Sequence, residues 1–224
     1  MKKRILWIMS ASLIVAVPVA LLRRPAQAAS APKDAVQVQT ALDGTGTASS
    51  ETNLGNLIAD AVLNTGHAQI ALVAADEIDD HAQVPAGKTE PGKIVRALRY
   101  ADDDSDTIVV LNLTGAQLVK ALERSLSRAP QPFEGFLQVS GVSVKVSGKS
   151  VSLSGPDGAA IQAGTKYRVA TTRPVAGGSL GYYQVWDKSA IAEDTQVPIS
   201  KSLSAYLAAH KMLNSVIEGR ITIR

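Results

Sequence analysis

Apolar positions along the chain follow two different periods, and the change of period marks the predicted elements. Alternating or continuous apolar runs predict strands at residues 36–42, 70–74, 107–113, 136–139, 142–147, 151–154, 167–171 and 217–223. Stretches rich in Gly, Ser, Thr or charged residues predict loops at residues 43–50 and 76–88. Most of the predicted elements are therefore strands.

Helical spacing accounts for the remaining apolar positions. One helix is predicted to end at Gly66, taken as the residue that follows its last turn. A short helix is predicted to begin at Pro91, another to begin with a capping box made by Thr114 and Gln117, and a last one to be capped by Ser200. The predicted core positions on these helices are Leu54, Leu57, Ile58, Leu118, Leu122, Leu126 and Leu207.

The order of these elements predicts the fold class. Strands and helices do not alternate strictly, and the strands at 136–139, 142–147 and 151–154 follow one another closely enough to form a meander. A doubly wound sheet is therefore not expected. We expect an α+β fold with a mixed or antiparallel sheet and packed helices.

Composition excludes several classes of protein. The chain has 224 residues, of which 46% are hydrophobic and 19% charged, as in ordinary globular proteins. It has no cysteine, so disulfides, thiolate metal sites and a cysteine nucleophile are impossible. With three histidines, it also has few ligands for a metal site built from imidazoles.

The net charge of +3 comes from the N-terminus. Five of the 23 basic residues lie in the first 28 positions, which carry no acid, so the rest of the chain has 18 basic and 20 acidic residues. Without an excess of positive charge there, the sequence gives no electrostatic reason to expect a nucleic-acid partner.

The N-terminus has the pattern of an export signal. Basic residues 2–4 precede an uncharged, mostly apolar run at 5–22, and residues 26–28 form an A-x-A box. We expect cleavage after Ala28 and location in the periplasm or outside the cell. The alternative is an uncleaved segment that anchors the chain to the membrane. The predicted organisation is a signal at 1–28, a flexible tail at 29–35 and one domain at 36–224.

Residue patterns with catalytic or metal-binding chemistry are incomplete. Residues 102–106 (DDDSD) lack the Gly and the final carboxylate of an EF-hand loop and indicate a solvated acidic turn. Residues 79–81 (DDH) resemble the first ligands of a dinuclear phosphoesterase, but the other ligands are absent. The chain also has no G-x-S-x-G nucleophile turn. We therefore predict no catalytic residue, no metal ligand and no cofactor in this chain.

Six segments in a fixed order resemble the C-terminal domain of the secreted 5′-nucleotidase family, which includes UDP-sugar hydrolases and 2′,3′-cyclic-nucleotide phosphodiesterases. They are residues 51–61 (ETNLGNLIADA), 113–118 (LTGAQL), 136–141 (FLQVSG), 166–171 (KYRVAT), 177–182 (GGSLGY) and 218–221 (EGRI). The resemblance implies the fold of that domain and a role in nucleotide catabolism. In the family, this domain binds the nucleoside while a separate metallophosphoesterase domain holds the metals and hydrolyses the phosphoester.

The resemblance also implies a place for the ligand, between the loop at Tyr100 and the loop at 177–183. The family stacks the base between two aromatic rings there, and Tyr100 stands where one of them is expected. The candidate substrate-binding residues are Tyr100, Arg173, Gly177, Gly178 and Tyr182. Glycines let the backbone approach a ligand closely, but a plain loop is the alternative. For Tyr182, Tyr183 and Trp186, a ligand-binding wall and core packing both remain open.

The sequence departs from the family pattern at several binding positions. The family's Asn-Gly-Gly-Gly-Ile-Arg segment aligns with residues 74–79 (AADEID), which places Ala74 at the Asn and Asp79 at the Arg. The second stacking ring falls near Arg173, where there is no aromatic residue, and the Asp of the G-G-D-G loop becomes Ser179 or Leu180. We therefore expect weaker recognition of an anionic nucleotide.

Three functions follow as hypotheses. The first is an exported binding module for a nucleoside or nucleotide-like molecule that acts in trans with a separately encoded metallophosphoesterase, to which the divalent metals would belong. The second is a degenerate binding or interaction protein without a nucleotide role. The third, an independent hydrolase, has no nucleophile, base or metal set to support it.

Overall fold

The structure is a computed structural model that describes residues 34–148 and 150–223. The predicted signal at 1–28, and residues 29–33 of the predicted tail, lie outside this part. In the part described, no helix combines the length and apolar character needed to cross a bilayer. The strands are β1 (Val36–Val38), β2 (Leu42–Asp43), β3 (Ile70–Ala74), β4 (Gln83–Val84), β5 (Gly87–Thr89), β6 (Thr107–Thr114), β7 (Leu137–Ser140), β8 (Ser143–Ser147), β9 (Ser150–Ser154), β10 (Lys166–Thr172), β11 (Ile191–Pro198), β12 (Met212–Leu213) and β13 (Ile221–Ile223). The helices are α1 (Asn53–Gly66), α2 (Pro91–Val95), α3 (Gly115–Ser125), α4 (Arg173–Ala176) and α5 (Ile199–Ala209).

A five-stranded mixed sheet organises the domain. Its strand order is β11-β6-β10-β3-β7, in which β10 and β3 are parallel and the other neighbours are antiparallel. Val169 pairs with Ile70 in the parallel register, and Tyr167 pairs with Leu113 across the β10–β6 ladder. This mixed sheet with packed helices confirms the α+β prediction.

Alternate residues of the sheet enter two separate cores. On β3, Ala71 and Val73 pack into the core that includes α1 and α5, whereas Ile70 and Leu72 pack into the core that includes α3. This division follows from the period of two along a strand. Because both faces of the sheet are covered, β3 is buried along its whole length.

The helix boundaries confirm one predicted cap and correct two others. Thr114 and Gln117 form the predicted capping box. Gly66 is the last residue of α1 rather than the residue after it, and His67 takes the left-handed conformation with φ of 43°. The last long helix begins at Ile199 with Pro198 at its N-cap, so Ser200 lies inside the helix and does not cap it.

The strand predictions need two corrections. The predicted strand at 36–42 is split into β1 and β2, which belong to different sheets. The predicted meander is wrong as well, because β7 pairs with β3 in the central sheet. β8 and β9 form a hairpin in a third sheet, where β13 pairs with β8 in parallel. The predicted loop at 76–88 includes a 3₁₀ turn (Ala75–Glu77) that begins one residue earlier and the short strands β4 and β5.

Candidate functional site

Most of the predicted site residues lie near one edge of the central sheet. The parallel strands β3 and β10 end side by side at Ala74 and Thr172, and β6 begins at the same edge with Thr107. The segments outside this edge are the 3₁₀ turn Ala75–Glu77, the loop 99–106 and helix α4. The carboxyl ends of parallel strands are a usual place for ligand sites, because loops from several strands meet there.

Tyr100 is an exposed aromatic residue at this edge. Its side chain is 45% exposed, and its hydroxyl donates a 3.4 Å hydrogen bond to Asp76 Oδ1. The negative charge of Asp76 raises the pKa of the Tyr100 phenol. An open depression of about 700 Å³ lies beside the Tyr100 side chain. Its lining residues are Arg96, Leu98, Arg99, Tyr100, Ala101, Asp102 and Asp103.

Arg173 lies at the same edge but is engaged by the protein. Its Nε donates to the Ser105 carbonyl at 3.2 Å and to Thr107 Oγ1 at 3.1 Å, and its Nη2 forms an ion pair with Asp194. Loop 99–106 therefore contains Tyr100 and also contacts Arg173 through the Ser105 carbonyl. The Arg173 side chain is nevertheless 48% exposed.

The turn at Gly177 and Gly178 is shaped by its own packing. Gly178 has φ of 94°, and a Cβ built on it would lie 2.8 Å from Tyr183 Cβ. Any other residue would therefore be both strained and crowded at this position. Tyr183 projects from the same turn and is 69% exposed.

Tyr182 belongs to the core and does not present its ring to a ligand. It is fully buried, and its hydroxyl donates a 2.6 Å hydrogen bond to the Gly135 carbonyl. Its ring stacks on Trp186 with 5.1 Å between centroids, and burial raises the pKa of its phenol. Tyr182 and Trp186 therefore pack in the core of this structure, and the assignment of Tyr182 as a ligand contact stays a prediction.

The segment 132–136 contacts both the 3₁₀ turn Ala75–Glu77 and the turn that carries Tyr182, and sequence patterns did not indicate these contacts. Asp76 N donates to Glu134 O at 2.9 Å, while Gly135 O accepts from Tyr182. The guanidinium of Arg124 lies 4.8 Å from the centroid of the neighbouring Phe133 ring. A smaller cavity of about 280 Å³ opens beside this segment. Its lining residues are Thr47, Ala48, Ala75, Asp80, Arg99, Pro132, Phe133 and Glu134.

A buried pair of acids lies under these loops and was also missed. Glu77 is 3% exposed and Asp106 is 4% exposed, and their carboxyl groups lie within hydrogen-bonding reach of each other. Burial, followed by the neighbouring Asp106, raises the pKa of Glu77 to about 9. Burial also raises the pKa of Asp106. In the sequence, Glu77 lies two residues after the apolar run 70–75 and Asp106 directly precedes the strand 107–113, and acids at such positions usually indicate turns.

Among residues 34–148 and 150–223, the structure has no group of three or more His, Cys, Asp or Glu side chains placed to hold a metal ion. The His81 side chain is 91% exposed and lies 3.7 Å from Asp80. In the acidic loop, Asp103 Oδ1 accepts hydrogen bonds from the backbone and hydroxyl of Ser105. These acids make local turns, as the sequence predicted.

Comparisons with known proteins agree with this fold. The family described as "5′-nucleotidase, C-terminal domain" matches residues 29–187. The chain is also 31% identical over 158 residues to the trifunctional nucleotide phosphoesterase protein YfkN of Bacillus subtilis (strain 168). That match covers 64% of this chain and 10% of the relative, so the chain spans about a tenth of that protein.

Solved structures match most of this chain. The crystal structure of a 5′-nucleotidase precursor from Thermus thermophilus superposes with a TM-score of 0.73 at 28% identity, over 84% of this chain and 39% of that chain. The NAD nucleotidase NadN of Haemophilus influenzae shares the fold, with a TM-score of 0.67 at 14% identity over 84% of this chain and 37% of its own. With the family match spanning most of its length, this chain belongs to the 5′-nucleotidase C-terminal domain family.

Proposed function

We propose that this chain is an exported binding module for nucleoside-like molecules, which works with a metallophosphoesterase domain on a separate chain. In this family, the domain accompanies a metallophosphoesterase domain. The observation that carries the proposal is the exposed ring of Tyr100, which lies beside an open depression at the edge where β3 and β10 end. A ring in that position suits a flat heterocycle, because stacking is favourable for any base.

The charges around Tyr100 favour a neutral ligand over an anionic one. Asp76 accepts the Tyr100 hydroxyl hydrogen bond and lies 3.8 Å from the guanidinium of Arg99. The Glu134 carboxylate lies 4.0 Å from the same guanidinium. Arg99 is thus matched by two acids, and a phosphate that approached Arg99 would have to compete with both. We therefore propose nucleosides or uncharged ring compounds as the preferred class.

The test is a calorimetric titration of the purified protein with adenosine and with adenosine monophosphate. We expect the nucleoside to bind more tightly, and Tyr100→Ala to weaken its binding about tenfold or more, as removal of a stacking ring does elsewhere. Tyr100→Phe is the matched control, since it keeps the ring and removes only the bond to Asp76. Tighter binding of the monophosphate, or an unchanged affinity in Tyr100→Ala, would contradict the proposal.

Export has its own test. We propose that the mature chain begins at Ala29 outside the cytoplasm, since residues 26–28 form the cleavage box. Amino-terminal sequencing of the protein recovered from the fraction outside the cytoplasmic membrane should return Ala29. A chain that still begins at Met1 and remains with the membrane would support the anchored alternative.

A second candidate function is an interaction protein that no longer binds nucleotides. The observation in its favour is that two of the five proposed contacts are used by the fold. Arg173 pairs with Asp194, and Tyr182 is buried. A ligand that binds only the folded state must raise the melting temperature. If no nucleoside or nucleotide raises it at millimolar concentration, this second function is favoured.

A further inference from the structure

Glu77 and Asp106 form a buried acidic pair, and none of the described residues forms an ion pair with the Glu77 carboxyl. Glu77 Oε1 accepts a 2.8 Å hydrogen bond from Thr172 Oγ1. Within the part of the chain that the structure describes, both side-chain oxygens of Asp106 are buried and neither accepts a hydrogen bond of normal geometry. An ionised carboxylate buried without a donor or a counter-ion is strongly destabilising, because the protein does not replace its lost hydration. Two buried carboxyl groups in contact, of which Asp106 lacks a hydrogen bond to its side chain among the described residues, are therefore not both ionised at neutral pH.

The hydrogen bonds indicate where the proton lies. Since Glu77 Oε1 already accepts from Thr172, its other oxygen is free to carry a proton and to donate it to Asp106. The Asp106 carboxylate then gains a donor in addition to the nearby backbone N–H of Arg173. The pair carries one negative charge in this state, and the neighbouring guanidinium of Arg173 stabilises that charge.

We propose that Glu77 and Asp106 share one proton, and that this proton acts as a latch that holds together the segments around the candidate site. The Glu77 carbonyl accepts from Arg99 N at 2.9 Å, directly before Tyr100. Its carboxyl is bonded to Thr172, directly before Arg173. The Asp106 carbonyl accepts from Ile199 N at 3.0 Å, at the beginning of α5. Loss of the proton places two anions at the junction of all three segments.

The surrounding charges do not replace the proton. Asp76 and Asp103 lie close enough to the pair to disfavour a second negative charge. Arg173 is the cation that acts on Asp106, and Asp194 already shares it. Arg99 is held outside the pair by Asp76 and Glu134. Ionisation of both acids would therefore add charge to a junction that is already acidic.

The first test compares the pH dependence of unfolding in urea between pH 5 and pH 10, with the purified full chain and Glu77→Gln. Glutamine keeps an acceptor for Thr172 and a permanent donor for Asp106, but it does not titrate. A carboxyl with a raised pKa in the folded state stabilises most at low pH, and its contribution falls until the folded pKa is passed. We expect the unfolding constant of the unmodified protein to rise relative to Glu77→Gln by up to about tenfold per pH unit, and to level off above about pH 9.

Glu193→Gln is the matched control. It removes one carboxylate that is half exposed and paired with Arg168 at the surface. The unfolding constant of Glu193→Gln should keep a nearly constant ratio to that of the unmodified protein over the same range. An equally flat ratio for Glu77→Gln would overturn the shared proton. If Glu77→Gln does not fold, the carboxyl carbon-13 chemical shift of Glu77 in the unmodified protein reports whether Glu77 is protonated. A shift that shows an ionised Glu77 at pH 7 would overturn the proposal.

The latch itself is tested by trypsin cleavage after Arg99. We take the ratio of the cleavage rate of the unmodified protein to that of Glu77→Gln at the same pH. In this ratio the pH dependence of trypsin itself cancels. We expect this ratio to rise about tenfold between pH 7 and pH 9.5, because ionisation releases the loop. A ratio that stays constant while the carbon-13 shift shows Glu77 losing its proton over the same pH range would overturn the latch, and it would do so without any bearing on ligand binding.

Discussion

The guanidinium of Arg220 forms a two-point ion pair with Asp60. Its Nη1 lies 2.6 Å from Oδ1 and its Nη2 lies 3.0 Å from Oδ2, and Nη1 also donates to the Val139 carbonyl at 3.0 Å. Asp60 lies on α1, Val139 lies on β7, and Arg220 directly precedes β13. Three of the segments that carry the family resemblance therefore meet at one side chain, so their joint presence has a structural reason.

Removal of this side chain should destabilise the fold. We expect Arg220→Ala to lower the free energy of unfolding by about 2–4 kcal/mol, because it leaves a largely buried carboxylate without its cation. Arg168→Ala is the control, since Arg168 pairs with Glu193 at the surface and should cost at most about 1 kcal/mol. Urea denaturation measures both. Equal losses in the two variants would show that the pair with Asp60 is no stronger than a surface ion pair.

The leucines of α3 should contribute through burial. Leu118 and Leu122 are at most 1% exposed in the core between α3 and the sheet. Leu118→Ala or Leu122→Ala should cost about 2–5 kcal/mol, since each leaves a cavity. Lys120→Ala on the exposed face of the same helix should change stability by less than about 0.5 kcal/mol. A leucine variant that loses under about 1 kcal/mol would contradict this packing.

Gly66 is required by close packing. A Cβ at this position would lie 2.6 Å from the Cβ of Ala170 on β10. Gly66→Ala should therefore destabilise the protein by about 1–3 kcal/mol through overpacking, although alanine normally favours a helix. Gly164→Ala provides the comparison, because a Cβ added there would meet no heavy atom within 4 Å and the backbone is unstrained. That variant should be neutral or slightly more stable in thermal denaturation. A stabilised Gly66→Ala would show that β10 moves away at little cost.

Local patterns predicted the elements well because their causes are local. The leucine spacing of α3 and its capping box lie within a few neighbouring residues, and both are observed. The partner of β7 was predicted wrongly, because strand pairing depends on residues far apart in the chain. The same reason hid the contact between Glu77 and Asp106, each of which looks like a turn acid by itself. The buried hydroxyl of Tyr182 needs a hydrogen-bond partner, which is the Gly135 carbonyl, and no local pattern in the sequence indicates that contact.

The last prediction concerns hydrolysis. We expect the purified chain to release no phosphate from nucleoside monophosphates or cyclic nucleotides, with or without added Mn²⁺ or Zn²⁺. Metal-assisted phosphoester hydrolysis needs several ligands around each ion, and the described residues bring no three His, Cys, Asp or Glu side chains together for one. The acids that are in contact, Glu77 and Asp106, are buried away from any substrate. A commercial alkaline phosphatase in the same assay establishes its sensitivity. Metal-dependent phosphate release that stays with the protein through repeated purification, and that Asp79→Ala or His81→Ala abolishes, would contradict this prediction and make residues 79–81 a metal site.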